Sequence, residues 1–183
     1  MTIRFAILGL LSWRSCSGYD IKKLIAGSAA FYWSGNNNQI YRTLVRLQEE
    51  GLVAYQVQHQ ESLPTKKIFS ITPGGLSELR KWVLSAPEPP EFRNAFLVQL
   101  AWADLLDPDE LDHLLERYQE GVSIQLLMQE EKARRGEAQP GRSSREVYLW
   151  ERISENVISF YRNELEWVQE LRAGLLVIEN SKE

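Results

Sequence analysis

The sequence predicts a mainly α-helical protein with one small β-hairpin, built in two parts. Three observations carry that expectation. Apolar residues recur at spacings of three and four through most of the 183 residues, as in helices with one buried face. One stretch, 52–71, alternates instead and is rich in β-formers. Ala86-Pro87-Glu88-Pro89-Pro90 then interrupts the pattern, because proline removes a backbone donor and disfavours helix in the residue before it. The expected parts are residues 1–86 and 93–183, joined by a proline-rich linker over 87–92.

The elements follow in order. Ile3, Ala6, Ile7, Leu10 and Leu11 form one apolar stripe, so a helix runs from Ile3 to about Trp13. Ser17 followed by Asp20 is a capping box after the turn Arg14–Gly18, opening a second helix to about Ala26 with Tyr19, Ile21, Leu24 and Ile25 as its apolar positions. Gly27 to Gly35 is a mixed segment. Asn36-Asn37-Asn38 opens a third helix, since an asparagine oxygen accepts a free amide, and Gly51 stops it. Ile40, Leu44 and Leu47 are its inward residues. Leu52–Gln58 and Lys66–Ile71 read as the two strands of a hairpin, broken over Glu61–Thr65. Thr72-Pro73 caps and starts a fourth helix carrying Leu76, Leu79, Val83 and Leu84.

Beyond the prolines everything reads helical. Phe96, Leu97, Leu100 and Ala101 share one stripe. Asp107-Pro108-Asp109-Glu110 supplies a cap, a proline at the first helical position and an acid in the first turn. Arg134 to Gly141 is charged and small, hence a loop. Ser143 with Glu146 caps a last, long helix to about Leu176. Val147, Trp150, Val157, Tyr161, Val168 and Leu175 line one side of it; Ile153, Phe160 and Trp167 line another at seven-residue spacing. A helix with two apolar faces needs two partners. One is its own domain, and the simplest second is another copy of the chain. Trp150, Ile153, Val157, Phe160, Tyr161 and Trp167 are therefore the expected homodimer interface.

Net charge is −4 and the pI about 5.4, but the charge is unevenly placed. Residues 1–85 hold ten Lys and Arg against five acids, a local +5, while the remainder is −9. A basic N-terminal part on an acidic C-terminal part suits an anion-binding end and a solubilising end. One cysteine, Cys16, excludes a disulfide framework. His59 and His113 have no metal-ligand spacing, and no Gly-rich phosphate loop is present. No nucleophile stands with a base and an orienting group, so the chain does not read as an enzyme, and no metal or cofactor is expected. With no apolar run long enough to cross a bilayer and no secretory pattern at Met1-Thr2-Ile3-Arg4, a soluble, cytoplasmic protein without membrane contact is the expectation.

Helix, helix, helix, hairpin, helix is the order of a winged helix-turn-helix, in which the third helix enters the major groove of DNA and the hairpin lies along the backbone. The third helix offers Asn36, Asn38 and Gln39 at its start, and Asn and Gln bond adenine edges in bidentate fashion. Tyr41, Arg42 and Arg46 lie away from its apolar stripe, and Lys66 and Lys67 on the hairpin suit phosphate. The competing readings are plain N-capping for the asparagines and a solvated strand edge for the lysines. The alternative function is a winged helix that binds an acidic protein partner without DNA.

Several segments resemble the PadR family of transcriptional regulators: Ile7–Leu11 followed by Ser17-Gly18-Tyr19-Asp20-Ile21, Gln39–Leu44, Leu47–Val53, Phe69–Gly75, and Trp82. Phe92–Leu100 is more loosely similar to the start of the family's helical dimerisation domain. The resemblance implies a homodimer binding an inverted-repeat operator in double-stranded DNA, usually as a repressor. It also implies a recognition helix over Asn38–Glu50, with Tyr41 and Arg42 as DNA contacts, and a wing over Leu52–Thr72. Some members release DNA on binding a small apolar or aromatic effector. Phe92, Phe96, Trp102, Tyr148, Trp150, Phe160, Tyr161 and Trp167 are the aromatics that could line such a pocket, or pack as ordinary core.

Overall fold

The computed structural model describes residues 3–28, 37–60, 63–90, 93–136 and 140–180. The chain forms two units, and each is built around its own apolar cluster. The first takes in residues 1–87 and 136–147, the second 88–135 and 148–183. The proline-rich stretch thus spans the first division, while the segment around Gly136–Val147 belongs with the N-terminal unit.

In the first unit, α1 (Ile3–Trp13), α2 (Gly18–Gly27) and α3 (Asn37–Glu49) bury Ile7, Leu8, Ile21, Leu44 and Leu47 almost completely. Each such side chain contributes about 1.5–3 kcal/mol of transfer free energy. The α2 start is the expected capping box: the Ser17 hydroxyl accepts from the Asp20 N–H, and the Asp20 carboxylate accepts from the Ser17 N–H at 3.0 Å. Tyr19, expected inward, is 58% exposed. It lies two residues from the fully buried Ile21, about 200° around the helix.

Residues 29–36, and with them Asn36, lie outside the described residues. α3 ends where Gly51 adopts a φ of 71°, a left-handed conformation suited to glycine. The Leu52 N–H donates to Leu47 O at 2.9 Å.

The hairpin pairs β2 (Val53–Gln60) antiparallel with β3 (Leu63–Ile71). The break expected over Glu61–Thr65 is shorter than that, because β3 already begins at Leu63. Pro64 and Thr65 fall where the register shifts between Gln58 and Gln60, and a bulge tolerates a proline that has no N–H to offer. A further strand, β1 (Cys16–Ser17), joins β3 in the order β1-β3-β2, with Ser17 opposite Ile68. Two residues carry no readable period, which is why the turn Arg14–Gly18 showed no strand. α4 (Pro73–Val83) opens as expected: the Thr72 hydroxyl accepts from the Gly75 N–H at 3.1 Å and donates to Gly51 O at 2.8 Å. Trp82 of α4 stacks on Phe5 of α1, with ring centroids 4.6 Å apart. Leu76, Val83 and Leu84 are exposed; only Leu79 of the expected stripe packs on the core.

The second unit consists of α5 (Ala95–Ala101), a single 3₁₀ turn (Ala103–Leu105), α6 (Pro108–Arg135) and, from Tyr148 on, α7 (Ser144–Asn180). α6 begins at the Asp107 cap, with reciprocal bonds between Asp107 and Glu110. It continues through Arg135 to Gly136, two residues into the expected loop. Phe96, Leu115 and Val168 form the core, with Leu111, Leu165, Leu171 and Leu175 around it. Asn94 ties this unit together: it caps α5 through the Phe96 N–H, and its amide donates to the Tyr118 hydroxyl at 2.9 Å and to Glu164 at 3.2 Å. Tyr118 in turn donates to the Glu164 carboxylate.

Candidate nucleic-acid interface

α3 turns Ile40, Leu44 and Leu47 into the core and leaves Asn38, Gln39, Tyr41, Arg42, Val45 and Arg46 outward. The 3.6-residue period dictates that division. Tyr41 is 52% exposed, yet one face of its ring lies against Gly18. A Cβ on Gly18 would sit 2.6 Å from a Tyr41 ring carbon. The missing side chain therefore lets the Tyr41 ring of α3 approach the first turn of α2. Arg42 and Arg46 make no ion pair among the described residues, so their guanidiniums are available to an anion. At the other end of α3, Glu50 is neutralised by Arg4 at 2.6 Å, which limits the negative charge there.

The exposed face extends onto α2. The Lys23 ammonium lies 5.8 Å from the Tyr19 ring centroid. This pair is not apparent from the apolar pattern, which counts Tyr19 with the inward residues, although its spacing from Ile21 puts it on the outer side.

On the hairpin the two lysines separate. Lys67 stands over the Tyr55 ring at 4.4 Å, on the face shared with Phe69. Lys66 points to the other face, where its ammonium meets Asp20 Oδ2 at 3.1 Å. Burial works to raise the Asp20 pKa, but hydrogen bonds from Ser17 and Lys66 outweigh it and hold the carboxyl below its ordinary value.

The expected interface residues on α7 fall into two groups. Trp167 packs edge-on against Phe96 within its own unit, with centroids 6.2 Å apart. Trp150 and Val157 are half-buried. Ile153 and Phe160 are 40% and 52% exposed, with Tyr161 edge-to-face on Phe160. Among the described residues, the aromatics considered for an effector divide between core and surface. Phe96 is buried and stacked on Tyr118, with ring centroids 3.6 Å apart, and Phe92 lies outside the described residues. Trp102 lines a groove of about 520 Å³ in this unit, beside Leu105, Leu106, His113 and Arg117.

Among the described residues, no cluster of His, Cys, Asp or Glu is placed to hold a metal, and no helix is long and apolar enough to cross a membrane.

Three helices, a hairpin with a short third strand, and an amphipathic α3 with its polar face outward define a winged helix-turn-helix with a helical unit appended. Residues 7–81 match the Transcriptional regulator PadR-like family, and residues 92–175 match Virulence activator alpha C-term. The Negative transcriptional regulator PadR of Bacillus subtilis is 30% identical over 115 residues, which cover 62% of this chain and 63% of that protein. The match therefore spans less than two thirds of that relative's length. The crystal structure of Bacillus subtilis PadR in complex with operator DNA superimposes with a TM-score of 0.77 at 25% identity, covering 93% of this chain and 97% of that one. The same protein in complex with p-coumaric acid gives 0.73 at 24% identity, covering 93% and 96%. Over residues 7–81 the N-terminal unit is thus similar to the PadR-like family of transcriptional regulators, and the Bacillus subtilis relative is itself described as a transcriptional regulator.

Proposed function

We infer that the chain is a cytoplasmic transcriptional repressor that binds an inverted-repeat operator in double-stranded DNA as a homodimer. Residues 1–86 hold the DNA-binding surface, and 93–183 the dimerisation helices. The observation that carries this reading is the outward face of α3, where Gln39, Tyr41, Arg42 and Arg46 stand together while Ile40, Leu44 and Leu47 anchor the helix. Asn38 and Gln39 in the first turn reach base edges, and Arg42 and Arg46 reach guanine or phosphate. Lys67 meets phosphate from the wing.

The relative solved with operator DNA supports the DNA reading, and because that protein was also solved with p-coumaric acid, the proposal includes a small aromatic effector that releases the DNA. The test is selection of bound sequences from random duplex DNA at controlled salt. Recovery of a two-fold symmetric motif is expected. Failure to enrich any sequence would favour a winged helix that binds a protein partner instead.

A further inference from the structure

Resting on the reading that the first unit binds duplex DNA, we propose that Lys66 is a positioning residue rather than a phosphate contact: paired with Asp20, it sets the angle at which the wing leaves the helix-turn-helix. Adjacent residues on a strand face opposite sides, so Lys66 and Lys67 cannot do the same work. Lys67 is exposed on the face of Tyr55 and Phe69, and Lys66 is on the face of Ile68.

That second face is where the wing is fastened to α2. Ser17 is at once the N-cap of α2 and the β1 residue opposite Ile68. The β1–β3 ladder stops there; from Lys66 to the tip, β3 has only β2 beside it. A two-stranded ribbon twists easily when nothing supports it. Lys66, two residues beyond the last supported pair, extends the fastening by one side chain. Its acceptor is already in place, because Asp20 Oδ2 also takes the Ser17 N–H at 3.0 Å and the Ser17 hydroxyl at 2.6 Å. A phosphate that drew Lys66 away would compete with Asp20, leaving that carboxylate near the DNA with only its Ser17 donors.

The test uses the full-length chain, a duplex recovered by selection, and a random-sequence duplex. Lys66→Ala and Asp20→Asn are both expected to weaken binding by about two- to fivefold, the range of a partly exposed ion pair. The double variant should be no weaker than either single, and the slope of log affinity against log salt should not change. Asp20→Asn keeps an oxygen for Ser17, so the α2 cap survives. Lys67→Ala, by contrast, should lower the slope by about one. If Lys66 touched phosphate, Lys66→Ala would lower the slope, and Asp20→Asn would tighten binding by removing an acid and freeing the lysine; either result overturns the proposal. Should the unaltered chain bind neither duplex, the DNA reading fails on its own, and amide hydrogen exchange still decides the anchor. Faster exchange confined to β2 and β3 in both variants supports it, and unchanged exchange overturns it.

Discussion

Gly75 shows how much one missing methyl group decides. A Cβ there would lie 2.2 Å from Leu52 O and 2.7 Å from Ile71 Cγ1, and neither a backbone oxygen nor a half-buried strand side chain packed on the core gives way cheaply. Gly75→Ala is expected to cost about 1–3 kcal/mol, the range for overpacking. Gly121→Ala, on an exposed face of α6 with nothing within 4 Å, should instead stabilise by about 0.5–1 kcal/mol. Denaturant unfolding of both variants checks the contrast.

Titration adds a second residue-scale test. Burial pushes the Tyr118 phenol up to about 12, and its bond to Glu164 adds to the shift. Its folded value lies above its unfolded one, so its contribution to stability is full below pH 10 and is lost as the pH rises towards 12. Tyr118→Phe should flatten that alkaline loss. Asp20 has the opposite sign: its folded value lies below 3.8, so its contribution is full above that pH and lost as the pH falls through the folded value. Asp20→Asn should remove this part of the acid sensitivity. Thermal midpoints across pH read both.

At the scale of the element, the proposed DNA recognition is divided between α3 and the hairpin. Groove contacts specify sequence and backbone contacts position the protein. Gln39→Ala or Arg42→Ala should cost about 1–3 kcal/mol on a selected operator, with less loss on scrambled DNA. Equal losses on both DNAs would show that α3 only positions the protein. The amphipathic split of α3 was legible in the sequence, because a 3.6-residue period and three asparagines announce themselves without tertiary context. The different fates of Lys66 and Lys67 were not: their alternation was visible, but which face met Asp20 depended on β1, a two-residue strand that only exists because β3 passes beside it.

At the scale of the molecule, charge and association decide the behaviour. In the proposed homodimer the +5 half is presented twice, and it is expected to govern DNA binding despite an overall −4. Affinity should fall by roughly 10³ or more between about 50 and 200 mM salt, and a flat response would count against phosphate contacts. Association is tested on α7. Ile153→Glu and Phe160→Glu place charge on an exposed apolar face and should shift sedimentation from dimer to monomer while the fold survives. Trp167→Glu would not be informative, since Trp167 packs on Phe96 in its own unit and its loss disturbs that core directly. A clean monomer for the unaltered chain at micromolar concentration would remove the dimer reading.

What the sequence determined by itself was local: the capping pairs Ser17–Asp20 and Asp107–Glu110, the start of α4 at Thr72-Pro73, the stop at Gly51, and the buried stripes of α1 and α3. These depend on backbone groups and side chains a few residues apart, so their partners are written beside them. The tertiary structure decided what depends on distant neighbours. Tyr41 lies against Gly18 and Lys66 is claimed by Asp20; Trp167 is drawn to Phe96, and Asn94 links α5 to Tyr118 and Glu164. The physical reason is that a period says which side of an element a residue is on, whereas only packing says what waits on that side.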